Sequence, residues 1–215
     1  MDLNRPWKFD EQVANEFDVH ARQSIPAYEQ VIRLCLQAVK TTCSPADRIA
    51  EVGCATGFTL RQLEAAGFTS LVGVDSSKAM LEKCVHKHAK LVCSEQFPVE
   101  DGPFKAVLIN WTLHFVPPAQ RAAYLADIRR SLALGSILLL TEKTLQSPFV
   151  ESLYHAFKRE QGLSDAEIMA KKKSLEGVLQ PLPHTWYVET LGNLGFTTQI
   201  LWAQWGFITY LASID

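Results

Sequence analysis

The sequence predicts an α/β domain, doubly wound and Rossmann-like: a mostly parallel sheet with helices on both faces, an antiparallel C-terminal strand pair and an N-terminal helical lid. Three observations carry this reading. Short apolar runs alternate with amphipathic stretches across residues 45–142. The runs are apolar on successive residues, as strands covered on both faces are. And "IAEVGCATGFTL", Ile49 to Leu60, places Gly53, Ala55 and Gly57 at alternate positions just past the first run, where bare backbone permits a tight turn and a close ligand.

Each element has its own justification. Phe9, Val13, Phe17 and His20 fall on one helical face, and Pro26 opens a second helix through Ile32, Leu36 and Val39 that "TTCSPAD" breaks. Residues 1–40 therefore form the expected lid. "RIAEVG" is the first strand, and "FTLRQLEAAG" a helix closed by Gly67. "SLVGVD" is the second strand, followed by the helix "SKAMLEKCVHKH" with Ser76 or Ser77 as its N-cap. "AKLVCS" and "FKAVLINW" are the third and fourth strands, the latter preceded by the turn "EDGP". "PPAQRAAYLADIRRSLALG" reads as a helix from its Pro to Gly135, and "SILLLTEK" as the fifth strand. Residues 143–195 add helices near the active site; one of them starts with a capping box, Ser164 and Glu167. "HTWYVETLGNLG" is a last helix, and "TTQILWAQ" and "GFITYLAS" pair as terminal strands. No linker interrupts the chain, so 1–215 is read as a single domain with its cofactor-binding core at 45–142.

Composition bounds the function. With 215 residues, 47% hydrophobic and a formal charge of -2, the chain can bury one substantial core. No apolar run approaches the ~20 residues of a membrane span, and "MDLNRPWKFDEQ" has no apolar signal region, so no membrane association is expected. Five cysteines, an odd number without a CxxC, fit a cytoplasmic protein without disulfides. A pI near 6.3 argues against direct nucleic-acid binding, and Lys171 to Lys173 read as a solvated helix face. No metal is expected: on a helix, Cys84 and His88 share a face while His86 points elsewhere, and no paired motif supports Cys93.

The glycine spacing selects the ligand. A dinucleotide fingerprint needs a third glycine where Phe58 stands, and no GK[ST] follows for a P-loop. Asp75 ends the second strand, where a carboxylate can hold a ribose diol. The site therefore reads as one for a nucleoside without a pyrophosphate. His114, just beyond the strand that ends at Asn110, is the candidate general base. Trp111, Phe115, Trp186, Trp202 and Trp205 read as core, with one or two walling a pocket.

"EVGCATG", "GVDSS" and "INWTLHF" resemble motifs I, II and IV of class I S-adenosylmethionine-dependent methyltransferases. The resemblance implies S-adenosyl-L-methionine as cofactor. It implies that Gly53, Cys54 and Ala55 line the methionine part, Asp75 holds the ribose and Glu95 faces the adenine amino group beside the Gln96 backbone. Asn110 would lie near the sulfonium, with Glu51, Gly57 and Ser76 completing the set. A narrower resemblance runs through "FDEQVANEFDVHARQSIPAYEQVI", "INWTLHFVPPAQR", "TEK", "FKREQGLSDAEI" and "LGFTTQILWAQ", which are similar to the carboxy-S-adenosyl-L-methionine synthase family. That family makes a carboxylated sulfonium that serves tRNA wobble-uridine modification. The likeness implies a homodimer and a Tyr28 that touches the cofactor from the lid. The chain departs at Thr190, where the family carries an arginine that pairs with the extra carboxylate; a threonine offers no charged fork. Lys143, Lys158 and Arg159 are other cations that could compensate. The expectation is methyl transfer to a small-molecule acceptor, with carboxylated-cofactor synthesis as the alternative and a non-catalytic cofactor-binding protein as the next.

Overall fold

The computed structural model describes residues 6–214. The chain opens with α1 (Glu11–Ser24), whose N-cap Asp10 accepts the Val13 N–H, and α2 (Tyr28–Thr42). The αL conformation of Ala27 delays α2 until after Pro26. Then follow β1 (Ile49–Val52), α3 (Phe58–Ala65), β2 (Leu71–Asp75), α4 (Lys78–Glu82), β3 (Lys90–Cys93), β4 (Phe104–Asn110), α5 (Pro118–Arg130) and β5 (Leu132–Lys143). The last third holds α6 (Pro148–Glu160), α7 (Asp165–Ser174), α8 (His184–Asn193), β6 (Thr197–Gln204) and β7 (Phe207–Ser213).

The strands form one seven-stranded sheet in the order β3-β2-β1-β4-β5-β7-β6. β1 pairs in parallel with β2 on one side and β4 on the other, so the order reverses at β1. In open α/β sheets that switch point is where ligands bind, beyond the carboxyl ends of the strands. β7 runs antiparallel to both β5 and β6, as the sequence predicts. Side chains alternate between two cores. Ile49, Leu108 and Leu139 pack with Val31, Cys35 and Val39 of α2. Val52, Ile109 and Leu140 pack with Leu125 and Ile128 of α5 and Tyr187 of α8.

Three local readings change. The helix expected over residues 77–88 stops at Glu82. Cys84 and Val85 are drawn over the glycine turn instead, where a Cβ on Gly57 would stand 2.5 Å from Cys84 Sγ. The Glu64 carboxylate then accepts the backbone N–H groups of Lys87 and His88 at 2.8 and 2.7 Å, which fixes the chain outside the helix. "SLALG" is the start of β5 and not a helix end: Phe104 pairs with Leu132, and the register then shifts before Ala106 meets Ile137. The lysine run is not a solvated face throughout. Lys171 turns inward, donating to Ser24 Oγ at 3.0 Å, and Lys172 bonds Glu151 at 2.9 Å. The capping box of α7 is present as expected. Among the described residues no helix is long and apolar enough to cross a membrane.

Candidate active site at the carboxyl ends of the strands

A cavity of about 630 Å³ opens beyond β1, β2 and β4, walled by α1, α2, α6 and α7. At one end lies the glycine turn. Gly53 has φ +69°, and a Cβ there would overlap Thr112 Oγ1 at 2.0 Å, so glycine is required by the neighbouring loop as well as by the turn. Asp75 crosses to this turn. Its Oδ2 accepts the Ala55 N–H at 2.9 Å and its Oδ1 the Ser77 N–H at 2.8 Å. Burial pushes the Asp75 carboxyl up from its usual range, and these two N–H groups oppose that shift. The carboxylate keeps free lone pairs, so it can still accept hydroxyls. The Ser77 hydroxyl in turn donates to the Phe9 carbonyl at 2.5 Å, tying the segment before α1 to the end of β2. Val13 and Ala14 of α1 pack with Ala55 and Met80.

Deeper in, three buried polar atoms have no hydrogen-bond partner: Glu51 Oε2, Asn110 Nδ2 and Trp111 Nε1. Glu51 is 4% exposed, and burial pushes its carboxyl up to about 8 against the opposing effect of the Thr59 hydroxyl and the Leu60 N–H. Asn110 ends β4, where Cys35 Sγ donates weakly to its Oδ1 at 3.8 Å. Trp111 follows with φ +53°, held by its N–H to Thr141 O at 2.7 Å. Its ring lies 5.1 Å from that of Tyr28, which begins α2. Buried polar groups left unpaired are costly and rare in native proteins. An acceptor at Glu51 suits an ammonium; the donors at Asn110 and Trp111 suit a carboxylate. With Asp75 for a diol, these atoms fit a nucleoside that carries a free α-amino acid group.

On the far wall, His114 Nδ1 lies 2.7 Å from Glu142 Oε2. The Glu142 carboxylate also accepts the backbone N–H groups of Leu113 and His114, both at 2.8 Å, and of Thr112 at 3.2 Å. The 2.7 Å approach of the Glu142 carboxylate favours a proton on Nδ1, while the Lys143 N–H lies 3.4 Å from the same nitrogen. Arg121, fully buried, holds this loop from beneath: it donates to Val116 O at 2.7 Å, His114 O at 3.1 Å and Gln180 O at 2.6 Å.

Of the residues expected from sequence, Tyr28, Glu51, Gly53, Cys54, Ala55, Asp75, Ser76, Glu95, Asn110 and His114 all line this cavity. Gly57 is not on its wall; it makes room for Cys84. Gln96 is exposed, with its N–H donating to Ser94 Oγ at 2.9 Å, and is not on the wall either. Thr190 sits on α8, away from the cavity lining. Sequence reasoning missed Glu142, Thr112, Tyr154 and Lys171. Glu142 did leave a signal: an acid at the end of an otherwise apolar strand.

A methyltransferase-domain family model matches residues 49–135, the segment from β1 into β5. Two curated relatives share the full length. The carboxy-S-adenosyl-L-methionine synthase of Helicobacter pylori is 33% identical, covering 98% of this chain and 95% of that one. The enzyme of the same name from Desulfotalea psychrophila is 32% identical over 96% and 91%. Among solved structures, a putative S-adenosyl-L-methionine-dependent methyltransferase of Methanococcus maripaludis matches with a TM-score of 0.65 at 17% identity, covering 100% and 98% of the two chains. The magnesium protoporphyrin IX methyltransferase of Synechocystis, with S-adenosylhomocysteine bound, also scores 0.65, at 14% identity over 90% and 86%.

Proposed function

The chain belongs to the carboxy-S-adenosyl-L-methionine synthase family, built on an S-adenosylmethionine-dependent methyltransferase domain, and from that premise we propose that it moves a methyl group to a small-molecule acceptor. When bound, S-adenosylmethionine supplies an electrophilic sulfonium carbon. Asp75 would hold the ribose hydroxyls and Glu51 the ammonium, while Asn110 and Trp111 donate to the amino-acid end. Tyr28 and the segment around Phe9 would cover the ligand and exclude water.

The observation that carries the reading is His114 in the wall of the cofactor cavity, 2.7 Å from the buried Glu142 carboxylate. With Nδ1–H given to Glu142, His114 Nε2 carries the lone pair and can take the acceptor's proton. Glu142 holds the ring in that tautomer and stabilises it once protonated. The remaining task of the protein is to hold the acceptor nucleophile in line at ~3–3.5 Å. Calorimetry with S-adenosylmethionine and S-adenosylhomocysteine, then a labelled-methyl screen over small metabolites, tests it. Binding followed by transfer is expected; no binding of either nucleoside ends the proposal.

Carboxylated-cofactor synthesis is the second reading, favoured by the names of the full-length relatives. Against it, Thr190 supplies no guanidinium and stands off the cavity wall. Mass spectrometry of the nucleoside that copurifies decides between the two: a carboxylated sulfonium selects the second.

A further inference from the structure

Two free thiols meet at the glycine turn. Cys54, within the turn, is buried and lines the cofactor cavity. Its sulfur lies against β2, where a Cβ on Gly73 would stand 3.0 Å away. Cys84 reaches the same turn from the chain that leaves α4, its Sγ 2.5 Å from where a Cβ on Gly57 would stand. It is half-buried and packs against the core cluster that contains Cys54. The Gly57 N–H donates to Cys54 O at 2.8 Å, so the glycine that makes room for one sulfur also closes the turn that carries the other. The segment bearing Cys84 is pinned there. Glu64 accepts the N–H groups of Lys87 and His88, and the Val85 N–H faces Thr56 O at 3.4 Å.

The two sulfurs differ in reactivity. The Cys54 thiol donates a hydrogen bond to the Cys84 sulfur, and this lowers the Cys84 thiol from its ordinary value; burial opposes the effect and the Arg61 guanidinium adds to it. The same hydrogen bond, together with burial, raises the Cys54 thiol. The thiolate is the nucleophilic form, so Cys84 reacts first and Cys54 waits beside it. Access lies on the outer face. A separate cleft of about 480 Å³ is lined there by Thr56, Arg61, Lys83 and Val85, and the last two flank Cys84 in the chain. Cys93, the exposed cysteine, directs its sulfur to Ser76 O at 3.8 Å instead.

We propose that Cys54 and Cys84 form a redox modification site, closing a reversible disulfide across the glycine turn when hydrogen peroxide reaches Cys84. The Cys84 thiolate attacks one peroxide oxygen and the O–O bond breaks. The departing hydroxide takes up the proton that Cys84 released and becomes water. Cys84 is then a sulfenic acid. The Cys54 sulfur attacks that sulfur, the S–O bond breaks, and the second hydroxide leaves as water with the Cys54 proton. Two thiols have lost two electrons, and one peroxide has become two waters. This chemistry goes beyond methyl transfer. Its consequence for the cofactor rests on the transferase reading. A disulfide holds its sulfurs about 2.05 Å apart, so its closure pulls Cys54 toward Cys84 and away from the cavity, and cofactor affinity falls.

The test is to treat the reduced, ligand-free protein with hydrogen peroxide, block remaining thiols by alkylation and map the peptides by mass spectrometry without reduction. A Cys54–Cys84 cross-link, lighter than the dithiol by two hydrogens, is expected, and dithiothreitol should restore both thiols. In Cys54→Ser, Cys84 should stop at the sulfenic acid, which dimedone traps. In Cys84→Ser, Cys54 should stay reduced, and Cys93→Ser should cross-link as the wild type does. Calorimetry then reads the consequence. Oxidised wild type should bind S-adenosylhomocysteine about tenfold more weakly and recover with dithiothreitol, while Cys84→Ser keeps its affinity through the same treatment. Cys54 and Cys84 both remaining free thiols, or Cys84 pairing with Cys93, overturns the site. A complete cross-link with affinity within twofold of the reduced protein overturns its effect on the cofactor. Failure of S-adenosylhomocysteine to bind the reduced wild type sinks the transferase reading, and the peptide map still decides the disulfide.

Discussion

His114 Nδ1 meets Glu142 Oε2 at 2.7 Å, with side-chain exposures of 4% and 0%. A carboxylate so placed fixes one tautomer and shares the charge that the imidazole gains on taking a proton. His114→Ala should therefore lower kcat by about 10²–10⁴-fold with little change in S-adenosylhomocysteine affinity. Glu142→Gln should lower kcat less and move the pH profile of kcat, which a purely structural role would leave in place. Equal activity of wild type and His114→Ala against the acceptor found by screening removes His114 from the chemistry.

Asp75 holds the glycine turn through Ala55 and the start of α4 through Ser77. Asp75→Ala should weaken S-adenosylhomocysteine binding by about 10–100-fold, since charge-assisted hydrogen bonds contribute about 1.5–3 kcal/mol. Calorimetry reads this directly, and affinity within twofold of wild type denies Asp75 a ribose-binding role.

Glu51 gives a pH signature in the ligand-free protein. Burial lifts its folded carboxyl to about 8 from an ordinary 4.5, so between those pH values the folded state binds more protons than the unfolded one. The stability it contributes is full below pH 4.5 and declines as pH rises through 8, by at most about 1.4 kcal/mol per pH unit. Glu51→Gln should flatten that part of the curve. Saturating S-adenosylmethionine should do so too, because an ammonium beside Glu51 favours the charged carboxylate. Chemical denaturation across pH 5 to 8 checks both, and parallel curves for wild type and Glu51→Gln refute the assignment.

The N-terminal segment is tied down at Ser77 Oγ–Phe9 O and by Val13 and Ala14 against Ala55 and Met80, and we propose that it covers the cofactor. Deleting residues 1–25 should weaken cofactor affinity at least about tenfold. Ser77→Ala, a milder change that removes one hydrogen bond, should weaken it by a few-fold. Unchanged affinity in both refutes a covering role for this segment.

Phe149 and Leu153 stand one turn apart on α6 at 72% and 38% exposure, with Leu145 at 63% before them. We propose this apolar strip as the contact of a homodimer. Light scattering should give twice the chain mass for wild type and a monomer for Phe149→Glu; a monomeric wild type removes the proposal.

Much of this architecture was legible because local and global signals agree in the core. Gly53, Asp75 and Asn110 sit at the ends of β1, β2 and β4, and short apolar runs name those strands without any alignment. The misreadings share one cause: long-range packing overrode local pattern. The run after Ser77 has good helical periodicity, yet Cys84 has to fill the space over Gly57, and the helix gives way. Gly57 stands off the cavity wall, and its missing side chain leaves room for Cys84. Glu142 and Lys171 were hidden for a related reason. Each is an ordinary charged residue in sequence, and only the burial of β5 and the docking of α7 against Ser24 turn them inward.

Arg121 joins two segments, donating to the Val116 and His114 carbonyls of one and the Gln180 carbonyl of the other. The floor bearing His114 and the stretch leading into α8 are therefore riveted into a single piece. On the opposite side of the cavity, α7 is latched to the end of α1 by Lys171 on Ser24 and to the segment before α1 by the Trp7 N–H on Ser174 O at 2.8 Å, so that wall hangs on two separable bonds.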